Sequence, residues 1–512
     1  MTRTPSKPLS DAEKIRLLEE KVVSLEQQLD WFKRQVFGRK SEKRHIEPCP
    51  EQPLLSGLLL SGSSPASTPV PTETITYTRS KQRSSDCATT TGLRFAESVP
   101  KKTIRLKAPE LEGPNAHEYE LIREEHTYRL AHRSASYVVL EYIRPVLKHT
   151  PTQTFTQPPA PPSLWAGTLA DVSFVAALLV EKFVYHQPLH RQHQRLSREG
   201  IELSRTTLSN LAHRAITLVE PIYTAQLQHV LQSEMLAIDE TPIKAGLEKP
   251  GKMRICWYWP IYGQDDEVVF TFSRSRGHKH LLATLGAYQG KILSDGHSAY
   301  RTYASKCDGI VHAQCWSHCR REFIKAEKAE PDAVAEALDY IGQLYQVESY
   351  IKDKKLDRHK CLDMRAKHAK PIVDTFFTWC EQQCQRLDLV PSNPLSKALK
   401  YAREREQALR LYLTDPDQPM DTNHLERALR VIPMGRRSWL FNWTEIGGER
   451  VGIIQSLLTT CRLHNVHPYT YLVDVLQRVA QHPANRVAEL TPRLWKTLFA
   501  DNPLRSDLDS AW

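Results

Sequence analysis

Two aspartates sit where apolar runs break off. In "MLAIDETP", residues 235–242, four apolar residues are followed by Asp239 and Glu240, and in "KILSDGHSAY" the pair Ile292 and Leu293 leads within two residues to Asp295. If both runs are strands lying side by side, the two carboxylates meet at one edge of a sheet. Adjacent anions repel unless a divalent cation lies between them, and hard oxygen ligands select Mg²⁺ or Mn²⁺. A third carboxylate is offered by "DTNHLERALR", residues 421–430, where helical phase gathers Asn423, Glu426 and Arg430 on a polar face away from Leu425 and Leu429. Strand alternation turns Glu240 away from Asp239, so it is expected to bind a nearby cation or brace the loop. Taken singly, Asp239 reads as well as a strand-end turn former.

Two further clusters invite a chemical reading. "HAQCWSHC" brings together His312, Cys315, His318 and Cys319, but zinc sites usually draw on two separated pairs. Cys315 is expected to be a buried small hydrophobe instead, with His318, Arg320 and Arg321 near a phosphate at the carboxylate site. "MGRRSWLF", residues 434–441, couples Arg436 and Arg437 with Trp439, which suits phosphate contact with base stacking or, equally, a solvated charge pair beside a core tryptophan. Lys244 and Arg254 are weaker candidates for phosphate contact.

A mixed α/β sheet is the element that must position the carboxylates. "SEMLAID", "MRICWYWPIYG" and "DEVVFTFSRSR" read as an antiparallel meander, "HKHLLATLGAYQG" as a short helix closed by Gly290, and "KILSDGHSAY" and "GIVHAQCWSH" as two more strands. About a hundred residues of mostly helical pattern then separate Phe323 from the helix of Glu426, as an insertion into the fold. Upstream, a helix over residues 188–198, a turn at Gly200 and a second helix capped by Ser204 form a helix-turn-helix. It would present Arg205, Thr206, Thr207 and Asn210 to a DNA groove, although ordinary helical hairpins share the same grammar.

At the N-terminus, Ile15, Leu18, Val22, Leu25, Leu29, Phe32 and Val36 follow coiled-coil spacing, which makes a dimer or a single amphipathic helix. "FGRKSEKRH", residues 37–45, is a basic cluster, and a Pro-, Ser- and Thr-rich stretch follows as a flexible linker. The expected units are a coiled coil and basic segment (1–46), the linker (47–95), a small β-rich unit (96–156), the helix-turn-helix region (164–228), the first part of the core (229–326), a helical insertion (327–412), a core helix carrying Glu426 (413–480) and a C-terminal tail (481–512).

Across its 512 residues the chain carries 69 Lys and Arg against 59 Asp and Glu, a net charge of +10, which favours a polyanionic partner such as nucleic acid. The ten cysteines form no regular framework, the N-terminus lacks an apolar signal core, and no stretch of about 18 apolar residues occurs. A reduced, cytoplasmic protein is expected.

The ordered set "AIDETPIKA", "LSDGHSAY", "HAQCWSHCRREF", "DTNHLERALRVIPMGRRSWLF" and "GGERVGIIQSLLTTCRLHNVHPYTYLVDVL" resembles the TnpC-type transposases of the insertion-sequence sixty-six family. "QVFGRKSEK" and "EKFVYHQPLHRQHQRL" extend the resemblance over nearly the whole chain. It implies a ribonuclease-H-like core with a DDE triad on Asp239, Asp295 and Glu426, and metal-dependent cutting and joining of DNA at the ends of a bacterial mobile element. It implies as partners the terminal repeats and target DNA, and a homo-oligomer formed through the coiled coil; whether companion proteins of the element are needed stays open. One departure is that the region between coiled coil and helix-turn-helix holds only Cys49 and Cys87, without a CxxC pair, so the family's zinc-knuckle-like site is not carried over. Two rival functions are a catalytically inactive DNA-binding descendant and a nuclease without strand transfer.

Overall fold

The structure is a computed structural model that describes residues 93–509 apart from 134, 135, 440, 441 and 443. The expected coiled coil, the basic cluster at 37–45, Cys49, Cys87 and nearly all of the linker lie outside the described residues. The last linker residues belong to the fold: Leu93 and Phe95 are buried.

Among the described residues, twelve strands form three sheets. β1 (Arg94–Phe95) pairs with β6 (Ile201–Glu202). β2 (Lys101–Arg105), β3 (Tyr119–Arg133), β4 (Ser136–His149) and β5 (Thr154–Thr156) make a small sheet dominated by the long β3–β4 antiparallel pair. β7 (Met235–Ile238), β8 (Thr241–Lys249), β9 (Lys252–Tyr262), β10 (Val268–Ser273), β11 (Gly290–Ser294) and β12 (Ile310–Gln314) form the central sheet in the order β10-β9-β7-β11-β12, with β8 also on β9. β9 runs against its neighbours, while β7, β11 and β12 are mutually parallel.

The expected strand succession holds with one addition, β8. Its pairing continues that of β7, for Ile238 lies opposite Ile261 and Thr241 opposite Tyr258. The interruption falls at Asp239, whose N–H donates to the Pro260 carbonyl at 3.4 Å. Proline has no N–H to return that bond, so the ladder loses a rung where Asp239 must turn outward. A second difference concerns the short helix, which spans His278–Leu285 and ends at Gly286 with φ 55°. The left-handed conformation favours glycine there, and Gly290 opens β11 instead of closing the helix.

Alternation along β7 divides the core. Leu236 and Ile238 pack with Trp259, Tyr300 and Tyr303 on one face, while Ala237 joins a larger cluster on the other. The larger cluster includes Leu208 and Ala212 of the Arg205–Leu218 helix, Leu425 of the Asn423–Leu429 helix and Ile454 and Leu457 of the Glu445–Leu463 helix. The insertion keeps its own core, in which Trp316 and Phe323 of the Trp316–Ile324 helix meet Val334, Ile341, Phe376 and Leu399.

The Glu445–Leu463 helix also closes the sheet's β10 edge. Ser456 Oγ accepts the Phe270 N–H at 2.8 Å and Thr460 Oγ1 that of Val268 at 3.3 Å, so the edge offers no free template for another strand. This close approach requires Gly452, where a Cβ would stand 2.5 Å from the Phe270 carbonyl oxygen. Because the obstacle is backbone, Gly452→Ala is expected to destabilise the fold by about 2 kcal/mol despite alanine's better helix propensity. A lowered melting temperature would show it.

Candidate functional site

Leu293 of β11 lies opposite Ala237 of β7 in parallel register. Two residues further along each strand, Asp295 and Asp239 emerge side by side, both on the face of Ala237. Glu240, one residue on, turns to the other face as expected. There it is buried and accepts from Arg276 Nε at 2.8 Å and Nη2 at 2.5 Å, and from the Tyr300 hydroxyl. It braces the strand break from behind.

The front of the site gathers negative charge. Asp239 Oδ1 accepts the Glu240 N–H at 2.7 Å, and Asp295 Oδ1 accepts that of His297 at 2.8 Å. Burial, followed by the charges of Glu240, Asp295 and Glu426, pushes the Asp239 carboxyl up to about 7. Glu426 is therefore within electrostatic reach of Asp239. Its own carboxylate is gripped by Arg321 Nη2, at 2.5 Å from Oε1 and also through Oε2, with His318 Nε2 3.9 Å away. His297 Nδ1 and His318 Nδ1 are buried without a hydrogen-bond partner.

A raised carboxyl pKa has a definite sign for stability. Folded Asp239 keeps its proton to about pH 7, whereas an unfolded aspartate loses it near pH 4. Between these values the unfolded chain binds fewer protons, so stability falls as pH rises, and the penalty is complete above pH 7. With divalent ions removed, Asp239→Asn is expected to stabilise the fold by about 2 kcal/mol at pH 8, a gain that vanishes near pH 4. Melting curves of both chains across that range would test it, and an unchanged difference would refute it.

The donor set fits a hard divalent cation, since it consists of carboxylate oxygens, one of which burial and neighbouring negative charge hold partly protonated near neutral pH. Among the described residues, however, no three His, Cys, Asp or Glu side chains are grouped closely enough to hold an ion as they stand. Arg321 engages Glu426 through both carboxylate oxygens. The side chains of "HAQCWSHC" are engaged separately. His312 faces Ser294 Oγ at 2.8 Å, Cys315 is buried and takes the Thr422 N–H, and Cys319 sits in the insertion's core.

Other expected contacts separate into free and engaged groups. Ser204 caps its helix through the Thr207 N–H at 3.0 Å, and Arg205, Thr206, Thr207 and Asn210 are all exposed on its first turns. Arg320 and Arg437 are exposed. Arg436 donates to the Pro242 carbonyl at 2.6 Å, and Arg254 pairs with Glu445 at 3.2 Å. Trp439 packs on the large core and against Gly435, so the core reading of that tryptophan replaces base stacking.

Sequence reading missed a group supplied by the insertion. Arg405 lies over the Tyr401 ring at 3.8 Å and donates to the Gly296 carbonyl at 3.3 Å. A Cβ at Gly296 would stand 2.6 Å from the Tyr401 ring and hydroxyl. The pair caps the turn that carries Asp295, and more than a hundred residues of separation left no local signal for it. His297, also missed, at least follows Asp295 by two positions.

Residues 167–450 match the model described as "Transposase IS66 family". The chain belongs to the IS66 transposase family. Residues 456–493 of this IS66-family chain match the "IS66 C-terminal element", and residues 24–105 match "Transposase C of IS166 homeodomain". It is 28% identical over 387 residues to uncharacterized protein y4hP of Sinorhizobium fredii (strain NBRC 101917 / NGR234), across 71% of this chain and 69% of that protein. To uncharacterized protein y4qI of the same organism it is 27% identical over 390 residues, across 73% and 71%. The family implies a DDE-type polynucleotidyl transferase that binds DNA and uses a divalent metal. Among the described residues, no helix is long and apolar enough to cross a membrane.

Proposed function

We propose that this chain cuts DNA at the ends of an insertion sequence and joins the cut strand to a target, with Asp239, Asp295 and Glu426 as the DDE triad. The observation that carries the reading is the pairing of Asp239 and Asp295 at neighbouring parallel strand ends, with Glu426 close enough for its charge to be felt at Asp239. A central sheet in the order β10-β9-β7-β11-β12, with β9 alone reversed, supports a ribonuclease-H-like core.

Those three carboxylates would hold Mg²⁺ or Mn²⁺, which when bound activates the attacking oxygen and stabilises the leaving one. The chain's own groups do the positioning. Glu240, fixed by Arg276 and Tyr300, sets the strand break from which Asp239 projects. Arg405 and Tyr401 hold the Asp295 turn. Arg321 neutralises Glu426 in the free protein and is placed to take a DNA phosphate instead when the substrate arrives. Arg205, Thr206, Thr207 and Asn210 read the element ends from the helix-turn-helix. A dimer through residues 15–36 would bring two ends together.

Strand-transfer assays on labelled element ends test this reading. Joined product with the native chain and none with Asp295→Ala supports it. Binding without cutting under any divalent metal would favour the inactive descendant, and cutting without joining would favour the nuclease.

A further inference from the structure

Several cations without an ion-pair partner gather on three converging helices. Lys182 of the Val172–Phe183 helix, His213 and Arg214 of the Arg205–Leu218 helix, and Arg450 of the Glu445–Leu463 helix have no carboxylate within ion-pair distance among the described residues. Lys182 and Arg450 are close enough to His213 that their charges, after burial, hold its pKa below the ordinary range. Glu220 and Glu449 are near enough to Tyr223 for their charges to act on it. Arg214 and Arg450 thus bring like charge to one groove from two helices, an arrangement that repels itself until a polyanion enters.

The space for one is present. A groove of about 680 Å³ is lined by Trp165, Asn210, His213, Arg214, Pro221 and Arg450, among others. It adjoins a smaller cavity of about 220 Å³ that shares Trp165, Asn210 and Arg214 and reaches Thr207. The groove therefore begins at the exposed first turns of the helix-turn-helix and ends at the helix that closes the catalytic sheet. Arg214 lies 5.5 Å over the Trp165 ring, which holds its guanidinium in place without consuming its charge.

We propose that this groove is a track for the sugar-phosphate backbone of duplex DNA, with Arg214 and Arg450 contacting phosphates. The proposal rests on the reading that the Arg205–Leu218 helix enters a groove of the same duplex. It adds a second contact that runs from the recognition helix to the helix closing the β10 edge of the central sheet. Phosphate contacts of this kind fix register and carry no sequence information.

The test is the salt dependence of binding by the full chain, measured by fluorescence anisotropy. The probes are a duplex of the genomic DNA that borders the coding region and a scrambled duplex of the same length and composition. For every phosphate that the protein no longer neutralises, the slope of log affinity against log salt falls in magnitude by about 0.9. Arg214→Ala and Arg450→Ala should each reduce the slope by about that amount and weaken both duplexes equally, while Arg450→Lys should restore it. A double variant that melts like the native chain and keeps the native slope overturns the proposal. A double variant that melts early is replaced by Arg450→Gln, judged by the same slope. If Arg205→Ala and Asn210→Ala leave the preference for the bordering duplex intact while the groove variants still show the shallower slope, the recognition-helix reading fails and the phosphate track stands.

Discussion

Asp239→Asn is expected to lower DNA strand cleavage by about 10³-fold or more, because on the proposed triad it would remove a ligand of a metal that supplies several kcal/mol of transition-state stabilisation. Glu240→Gln, one residue away, is expected to lose far less. Its side chain lies behind the sheet on Arg276 and Tyr300, and glutamine keeps both hydrogen-bond acceptance and volume. Single-turnover cleavage of a labelled duplex, at saturating Mg²⁺ and matched DNA binding, compares the two. Equal losses would mean that Glu240, not Asp239, is the ligand. The measurement is sharper than alanine scanning, because asparagine retains the acceptor that takes the Glu240 N–H and removes only the charge.

Gly296→Ala is the second large effect. The new methyl would stand 2.6 Å from the Tyr401 ring and 2.8 Å from Arg405 Nε, so either the insertion or the Asp295 turn must yield. Catalytic geometry displaced by about 1 Å costs on the order of 10²-fold in rate. Tyr401→Ala should recover part of that loss in the double variant, since it removes the obstacle, and the coupling can be read from a double-mutant cycle. Affinity for DNA should be unchanged throughout. A rate loss for Gly296→Ala that is indifferent to residue 401 would sever the link between insertion and active site.

Local pattern carried the parts of the site that depend on strand periodicity. Asp239, Asp295 and the reversed direction of Glu240 all follow from a period of two applied to short apolar runs. Ser204 likewise announced its cap through residue type alone. β8 was less legible, since Gly246, Pro242 and Lys244 obscure the alternation of Ile243 and Ala245, and its pairing continues a strand already counted. The contacts of Arg405 with Gly296 and of Arg321 with Glu426 span more than a hundred residues. No periodicity encodes such contacts; they exist only once two separate cores are packed together. Arg436 belongs with them, because its contact with the Pro242 carbonyl also joins segments far apart in the chain.

The final described residues have a consequence for the order in which the chain can mature. Ser506 Oγ donates to Asp171 Oδ1 at 2.6 Å, where that carboxylate caps the Val172–Phe183 helix, and Asp507 accepts from the Tyr142 hydroxyl at 2.7 Å and through its carbonyl from Lys102. Leu508 packs against the small cluster of Ala131, Val138, Leu140 and Tyr142 in the N-terminal sheet. On a ribosome, those partners emerge hundreds of residues before the segment that completes them. A chain that stops before residue 445 thus lacks both this closing strap and the Glu445–Leu463 helix that packs on the Arg205–Leu218 helix, so that helix gains part of its support only after segments far downstream have been made.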